Sequence, residues 1–310
     1  MASHLIPLLR GEGFPVRGVV RSTRDAPRLR ELGCEIAVAD VRSRASLVEA
    51  FAGCSAVIHL VAIIRERGGQ TFDAINHAGA ANAVAAAREA GAARFLHMSA
   101  LGAAPGAPRY LRSKWAGEEE VRRSGMPFVI FRPSFLLGSG GGAAAQFAQV
   151  VRFGPWYPFA LLFGGRPLFA ALAALTPVVL VLGSGKYRSM PVALADVLAV
   201  MRQALDRHDI IGRAFEIGGP EALTYDELII RVARVLGVRR WLLHLPDPAA
   251  RAVITMFAVL PNPPITRDEA ESLFIDTLCD ATEVMRTFGL RMRPVDLALR
   301  EALGPPGEKI

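Results

Sequence analysis

The segment 56–99, AVIHLVAIIRERGGQTFDAINHAGAANAVAAAREAGAARFLHMS, contains two kinds of local pattern. Its two ends, 56–62 and 94–99, are short apolar runs bounded by turn-forming residues, which is typical of buried β-strands. Between them, Ala74–Ala90 has the composition and period of a helix. A strand, a helix and a second strand in this order predict a parallel sheet covered by helices on both faces.

The same alternation continues outward from this segment. Further strands are predicted at Val16–Arg21, Glu35–Ala39 and Phe128–Arg132, and Ser43 is a candidate N-cap for a helix over 43–52. In open α/β sheets, ligands bind at the carboxyl ends of the strands, so the residues at these ends are candidates for a binding site. They are Arg21, Asp40, Ala62, Ser99 and Pro133.

The composition is globular, with 310 residues of which 52% are hydrophobic and 21% charged. The net charge is +7, but the basic residues are spread along the chain with acids between them, which argues against a nucleic-acid partner. The three cysteines show neither a disulfide framework nor metal-ligand spacing, so no metal site is predicted. Because the start of the chain lacks a signal-peptide pattern, we expect a cytoplasmic protein, with peripheral contact at the inner face of the membrane as the alternative.

The pattern changes beyond about residue 140, which predicts two domains. The first comprises 1–140 and 189–218, the second and smaller one comprises 141–188 and 219–300, and 301–310 form a tail. Within the second domain, 167–185 hold no charge but are interrupted by Pro177. We predict a buried helix followed by a strand there, because a membrane span needs about 20 uninterrupted apolar residues.

Tyr110 and Lys114 are spaced four residues apart, which places both side chains on one face of a helix. An ammonium group beside the phenol is expected to lower the pKa of Tyr110, so that the phenol can exchange a proton near neutral pH. Ser99 ends a strand eleven residues earlier, where its hydroxyl can hold a carbonyl or alcohol oxygen. His59 and His97 lie within strands and are predicted to make satisfied core contacts rather than to catalyse.

Several motifs follow one another in a characteristic order. They are Ala56-Val-Ile-His-Leu-Val-Ala62, Asn76-x-x-Gly79, Phe95-Leu-His-Met-Ser99-Ala-Leu-Gly102, Tyr110-x-x-x-Lys114 with Glu118, and Arg132-Pro133-Ser134-x-x-x-Gly138. In this order they resemble the extended and atypical short-chain dehydrogenase/reductases, the NAD-dependent epimerase/dehydratase group. The tail, with Thr266 to Asp276 and Phe288-Gly-Leu, looks like the branch that contains the alpha-subcomplex subunit 9 of respiratory complex I.

The resemblance implies a Rossmann-type doubly wound parallel sheet with a smaller, mostly helical C-terminal substrate domain. It also implies that Asn76 holds the active-site helix through a water or a backbone bond. The cofactor contacts that it implies, together with the candidates at the strand ends, are Arg21, Asp40, Val41, Leu60, Val61, Ala62, Tyr110, Lys114, Pro133 and Ser134. NADP(H) is favoured over NAD(H), because an arginine at the end of the second family strand, Arg21, can meet a 2′-phosphate where an acid would bind the ribose hydroxyls.

The beginning of the chain departs from the family pattern. Members begin with a strand and a Gly-x-x-Gly-x-x-Gly loop, whose backbone approaches the cofactor pyrophosphate. Here Met1–Leu5 aligns with the end of that loop, and Ala2 stands at its last glycine. We therefore expect the first strand and the glycine-rich loop to be missing from this chain, which would leave the strands on either side of a central strand without partners.

Two functions of different classes remain. In the first, an NAD(P)H-dependent oxidoreductase or epimerase-like enzyme uses Ser99 to orient a reacting oxygen, Tyr110 to move the proton, and Lys114 to tune the phenol and hold ribose. The substrate is then a small molecule, an apolar carbonyl or alcohol, or a lipid- or quinone-like compound. In the second, the chain is a non-catalytic NADPH-binding structural or assembly factor related to the complex I accessory subunit, with a peripheral membrane contact.

Overall fold

The structure is a computed structural model that describes residues 1–163, 166–258 and 263–304. The predicted tail 301–310 lies outside the described residues from position 305 onward. The strands are β1 (Arg17–Val20), β2 (Glu35–Val38), β3 (Ala56–His59), β4 (Arg94–Met98), β5 (Phe128–Pro133), β6 (Leu136–Leu137), β7 (Val178–Leu182), β8 (Arg188–Ser189), β9 (Val192–Ala193), β10 (Arg213–Ile217), β11 (Leu223–Thr224) and β12 (Trp241–Leu245). The helices are α1 (Ala2–Gly11), α2 (Ala26–Glu31), α3 (Arg44–Phe51), α4 (Ala78–Glu89), α5 (Arg109–Arg123), α6 (Ala143–Phe153), α7 (Tyr157–Phe163), α8 (Arg166–Leu175), α9 (Leu194–Ala204), α10 (Tyr225–Val235), α11 (Asp247–Phe257), α12 (Arg267–Leu273), α13 (Ala281–Phe288) and α14 (Val295–Leu303).

The chain forms two compact units. The first contains Met1–Pro133 and Val197–Glu216, and the second contains Ser134–Asp196 and Ile217–Ile310. The first change of unit therefore falls at the end of β5, whereas the sequence pattern places it at residue 140.

The predicted parallel sheet is confirmed in the first unit. Strands β3, β4 and β5 are parallel neighbours in a sheet of order β10-β5-β4-β3, with Val57 opposite Phe95 and Phe95 opposite Phe128. Each predicted strand of this unit is present, and Ser43 caps α3 by accepting a hydrogen bond from the Ser46 backbone N–H. The carboxyl ends of β3, β4 and β5 consequently lie at one edge of the sheet.

Strands β1 and β2 form a separate parallel pair, in which Arg17 is opposite Glu35 and Val20 is opposite Val38. Within the described residues, no strand bridges β1 and β3, so each of these strands has one edge without a ladder partner. The Arg17 guanidinium connects β1 to the end of α3 by donating to the carbonyls of Ala50 and of Ala52, the residue that follows the helix.

Helices α3, α4 and α5 cover one face of the four-stranded sheet with an apolar core. The core includes Val57, Phe95 and Ile130 of the strands and a set of fully buried alanines in α4. Alanine side chains let the helix backbones approach one another closely. The closest approach is at Gly117 of α5, where an added Cβ would lie 2.7 Å from the Asn76 carbonyl oxygen and 3.1 Å from the Ala80 Cβ.

The second unit is built around α6, α10 and α14, whose apolar faces share one buried cluster. Val179 of β7 belongs to the same cluster, and β7 pairs in parallel with β12. Helix α10 begins with a capping box in which Thr224 and Glu227 satisfy each other's backbone N–H groups. These contacts define a core for this unit that is independent of the parallel sheet.

The segment 167–185 forms a helix and a strand as predicted, namely α8 and β7. The prediction that the helix is buried is wrong, because Leu168 is 62% exposed and Leu175 is 81% exposed. Only one side of α8, including Ala173, reaches the interior. Apolar composition alone does not show whether other elements pack against every side of a helix and bury it. In the described part of the chain, no helix is both long enough and apolar enough to cross a bilayer.

We expect Gly117→Ala to destabilise the protein by about 1–3 kcal/mol, because the added methyl group collides with a backbone carbonyl that has little freedom to move. Urea unfolding monitored by circular dichroism measures the change. The matched control is Gly106→Ala, where an added Cβ has no atom within 4 Å. A loss of stability that is equal in the two variants would contradict the close packing of α5.

Candidate active site

Helix α5 carries the Tyr-x-x-x-Lys pair and places Lys114 against the end of β4. The Lys114 ammonium donates a hydrogen bond of 2.7 Å to the carbonyl oxygen of Met98, the residue that precedes Ser99. Lys114 is only 2% exposed. Burial lowers the pKa of Lys114 to about 8, while the nearby Glu118 carboxylate opposes the shift.

Glu118, one turn further along α5, is fully buried and fixes the helix to the sheet. Its two carboxylate oxygens accept hydrogen bonds of 2.8 and 2.7 Å from the Arg132 guanidinium on β5. Arg122 donates a third, of 2.8 Å. Arg132 also lies 3.3 Å from Glu216 of β10. The Glu118 carboxylate keeps its hydrogen bonds to Arg132 only while α5 stays in this position on the sheet. Because an unpaired buried charge is costly, these bonds fix the helix in place.

Asn76 connects the loop after β3 to the same helix. Its side-chain oxygen accepts from the Ile63 backbone N–H at 2.8 Å, and its amide donates to the Ile63 carbonyl and to the Ser113 hydroxyl, each at 3.0 Å. Asn76 therefore contacts α5 as predicted, but it does so through the Ser113 side chain and not through a water or a backbone bond. Ser113, which passes the contact on to the Tyr110 carbonyl at 2.6 Å, was not predicted. Its spacing of three residues from Tyr110 is the only sequence feature that could have indicated it.

Tyr110 lies in the first turn of α5, and its ring packs against Phe72 with centroids 5.9 Å apart. Within the described residues its hydroxyl makes no hydrogen bond. Burial raises the pKa of Tyr110 to about 12, so the expected lowering by Lys114 is wrong for this structure. The physical reason is that Lys114 directs its ammonium group to the Met98 carbonyl. The cost of desolvating the phenolate is then the main influence on the pKa of Tyr110, and it raises that pKa.

Ser99 ends β4 with its backbone N–H bonded to the Phe131 carbonyl at 2.7 Å. Its hydroxyl is buried and has no hydrogen-bond partner among residues 1–163, 166–258 and 263–304. A buried hydroxyl without a partner carries a desolvation cost, and a ligand oxygen removes that cost. Lys114 bonds the carbonyl of Met98, the residue before Ser99, so both side chains lie at the carboxyl end of β4.

His59 and His97 form a stacked pair inside the sheet, next to Lys114. Their Nδ1 atoms are 3.1 Å apart, so one ring donates and the other accepts, and both rings are neutral. Burial, assisted by the Lys114 charge, lowers the pKa of His59 to about 3 and that of His97 well below its ordinary value. Because both Nε2 atoms lack partners, the prediction of satisfied core contacts is only half right.

Two predicted cofactor residues lie at the ends of the separate strand pair. Arg21 follows β1, is exposed and makes no side-chain hydrogen bond within the described residues. Asp40 follows β2, and its carboxylate accepts from the backbone N–H and from the guanidinium of Arg42. These bonds hold the pKa of Asp40 below its ordinary value, with Arg21 adding to the effect. Next to Asp40, the Val41 carbonyl accepts from Asn82 of α4.

The remaining predicted residues lie beyond β3 and β5. Leu60 is half-buried, while Val61, 43% exposed, and Ala62 leave an apolar backbone run open after β3. Pro133 is buried at the end of β5, and its carbonyl accepts from the Leu101 N–H. Ser134 belongs to the second unit, and its hydroxyl is also buried without a partner.

These features fit a dinucleotide, because the first unit offers what such a cofactor needs at the strand ends. They include a free guanidinium after β1, an open apolar run after β3, and a buried hydroxyl and ammonium after β4. Ahead of β1 the described residues form α1, which begins at Ala2. Among the described residues, no cluster of histidine, cysteine or acidic side chains is arranged to hold a metal ion.

Residues 1–149 match the model of a family described as NAD(P)H-binding. The resemblance inferred from the motifs is thereby confirmed, and the chain is related to NAD(P)H-dependent oxidoreductases.

Two curated relatives span most of the chain. The alpha-subcomplex subunit 9 of mitochondrial NADH dehydrogenase from Arabidopsis thaliana is 28% identical over 99% of this chain and 74% of its own length. The ceramide reductase of Caulobacter vibrioides is 29% identical over 85% of this chain and 77% of its own length. The chain is therefore similar both to a respiratory-complex subunit and to a reductase.

Solved structures share the fold. An NADPH-dependent quinone oxidoreductase from Escherichia coli, in complex with NADPH, has a TM-score of 0.69 and 16% identity, with 96% of each chain covered. A UDP-glucose 4-epimerase from Thermotoga maritima has a TM-score of 0.68 and 16% identity, covering 97% of this chain and 93% of its own. These likenesses confirm the predicted α/β fold class.

We expect the lowered pKa of Lys114 to appear in the pH dependence of stability. Between pH 8 and pH 10.5 the unfolded chain keeps a proton that the folded Lys114 has lost, so wild-type stability rises with pH across this window. Relative to Lys114→Met, the gain is about 3 kcal/mol. Urea unfolding of both proteins from pH 7 to 10.5 measures it, and a difference that does not change with pH would contradict the assignment.

Proposed function

We propose that the protein is an NAD(P)H-dependent reductase that uses Ser99, Tyr110 and Lys114. The observation that carries the proposal is the buried, unpartnered Ser99 hydroxyl beside the carbonyl to which Lys114 is bonded. A substrate oxygen held by Ser99 lies at the strand end where this fold binds its ligands. When bound, the cofactor supplies the hydride for a carbonyl or quinone carbon.

The state of the phenol supports the reducing direction. With its pKa near 12, Tyr110 is protonated at neutral pH and can donate its proton to an oxygen that gains negative charge. In this proposal the Lys114 ammonium, which donates to the Met98 carbonyl and titrates near pH 8, donates a further hydrogen bond to a ribose hydroxyl of the cofactor. Relatives that are named as reductases include a ceramide reductase and an NAD(P)H azoreductase.

We propose an apolar substrate, a lipid- or quinone-like carbonyl compound. Residues 138–185, which lie in the second unit, contain no acidic side chain and many apolar ones. A site with few polar groups selects substrates by shape and apolar area. The names of the ceramide reductase and of the quinone oxidoreductase point to the same class.

A second candidate is a non-catalytic NADPH-binding subunit or assembly factor. It is favoured by the similarity to subunit 9 over 99% of this chain, whose name describes a component of a larger assembly. The high pKa of Tyr110 is compatible with this candidate as well, since a phenol that stays protonated can serve only as a packing residue. The two candidates differ in turnover, while both require cofactor binding.

We expect Tyr110→Phe to lower turnover by roughly 10²- to 10⁴-fold while leaving NADPH affinity nearly unchanged, because only the proton donor is removed. The assay follows NADPH oxidation with a panel of quinones, aldehydes and ketones. The control is Tyr187→Phe, which removes a hydroxyl bonded to the Leu182 carbonyl in the second unit. Turnover that is unaffected by Tyr110→Phe would refute the mechanism, and tight NADPH binding without turnover on any substrate would favour the second candidate.

We further propose that NADP(H) is preferred to NAD(H), with Arg21 facing the 2′-phosphate. The Arg21→Asp variant should then reduce the ratio of NADPH to NADH affinity by roughly 10- to 100-fold, since a charge-assisted contact becomes a repulsion. Calorimetric titration with both cofactors measures the ratio. Arg30→Asp, an identical charge change at an exposed position of α2, should leave the ratio intact. Equal ratios in wild type and Arg21→Asp would remove Arg21 from the site.

A further inference from the structure

Strand β12 of the second unit has one edge on which no other strand of the described residues pairs. Its ladder partner is β7, and the two strands are parallel. The Trp241 backbone N–H donates to the Pro177 carbonyl, and the Leu245 carbonyl accepts from the Gly183 N–H. The odd-numbered residues of β12 therefore direct their backbone groups to β7.

The backbone groups of Leu242 and His244 point to the opposite edge, because ladder bonds alternate along a strand. Within the described residues these two N–H groups and two carbonyls have no backbone partner. The outer edge of β7 differs, since its Leu182 carbonyl accepts a hydrogen bond of 2.9 Å from the Tyr187 hydroxyl. The open edge of the strand pair therefore belongs to β12.

The sequence of β12 does not protect this edge. Proteins commonly block a lone strand edge with a charged residue or a proline, and the strand, Trp-Leu-Leu-His-Leu, contains no proline, lysine, arginine or acid. Its side chains Trp241 and Leu243 are 74% and 54% exposed. An apolar edge with unpaired backbone groups is a place where a further strand can add.

Two opposite charges lie symmetrically about the middle of β12. Arg239 stands four residues before Leu243, and Asp247 stands four residues after it. Both charged side chains are exposed, and neither has a partner within the described residues. In an antiparallel pair of identical strands centred on Leu243, Arg239 of each copy approaches Asp247 of the other. The segment 239–247 is therefore complementary in charge to itself.

The other two titratable side chains of this segment already have partners. The Arg240 guanidinium donates to three backbone carbonyls, at 2.7–2.9 Å. His244 has its Nε2 atom 2.8 Å from the Asp226 carboxylate. Arg239 and Asp247 are consequently the two charges of the segment that remain for a partner.

We propose that β12 pairs antiparallel with β12 of a second copy of the chain, on a two-fold axis that passes through Leu243. In this register Leu242 of each copy exchanges two backbone hydrogen bonds with His244 of the other, so every outward-facing group of the strand is satisfied. Leu243 contacts Leu243 of the second copy, and Trp241 lies opposite Leu245 of the second copy. A second copy is the fitting occupant because a closed two-fold interface places one surface against itself.

Sedimentation velocity at several protein concentrations tests the association. We expect a monomer–dimer equilibrium for the wild type. Leu243→Lys sets two ammonium groups against each other at the axis and should weaken the dimer at least roughly tenfold. The matched control is Leu297→Lys at a 46% exposed leucine of α14, which should associate like wild type. A wild type that is monomeric at every concentration, or a dimer that Leu243→Lys leaves unchanged, would overturn the proposal.

Disulfide cross-linking tests the register. In Leu243→Cys the two Cα atoms would lie about 4.5 Å apart, within the range of a disulfide, so mild oxidation should give a covalent dimer. Trp241→Cys should not cross-link, because the two copies of this position are about 13 Å apart along the strands. The wild type, with its three native cysteines, gives the background. Equal cross-linking of the two variants would refute the antiparallel register. The cysteine variant also tests the interface if Leu243→Lys does not fold.

Charge exchange tests the complementarity. Arg239→Asp and Asp247→Arg each replace an attraction by a repulsion at both ends of the interface, and each should weaken the dimer roughly three- to tenfold. The double variant restores opposite charges and should dimerise to within roughly twofold of wild type. A double variant as weak as the single ones would overturn the proposed pairing. None of these measurements involves the reductase activity, so its failure would leave the result for the dimer unaffected.

Discussion

A fully buried carboxylate, that of Glu118, sets the position of the helix on which the candidate site depends. Both its oxygens are held by guanidinium groups, from Arg132 on the sheet and Arg122 on the helix itself. Removing one partner of a buried pair leaves an uncompensated charge, at a cost of about 3–5 kcal/mol, so the helix has little freedom to shift. At Gly117, the absence of a side chain allows the same helix to rest directly on the Asn76 carbonyl.

The titratable groups around the candidate site are shielded from water, and this shielding disfavours their charged forms. Lys114 titrates near pH 8, Tyr110 near pH 12, and the His59–His97 pair stays neutral. Desolvation acts on all four groups in the direction that removes charge. A bound anionic or polar ligand would change this balance most strongly at Lys114, whose single hydrogen-bond acceptor in the described structure is a neutral carbonyl.

The second unit combines a buried core of its own with exposed apolar side chains on one strand. It buries one face of α6, α10, α14 and the β7–β12 pair in its own core, while Trp241 and Leu243 of β12 stay exposed. Burying apolar surface is worth roughly 25 cal/mol per Å², so covering these exposed apolar side chains would lower the free energy of the protein.

The sequence by itself determined the parallel α/β architecture, because strand and helix periodicities are local and the motif order is distinctive. It also determined the Ser43 cap and the role of Asn76, since both depend on hydrogen bonds to nearby elements or on a motif spacing. Only the tertiary structure decided the direction of the Tyr110 pKa, because helical spacing brings Lys114 close to the phenol but does not reveal that the Met98 carbonyl takes its ammonium group. In the same way, an apolar run predicted α8 and β7, but exposure of Leu175 depends on which other elements pack there, and that is a property of the assembled chain.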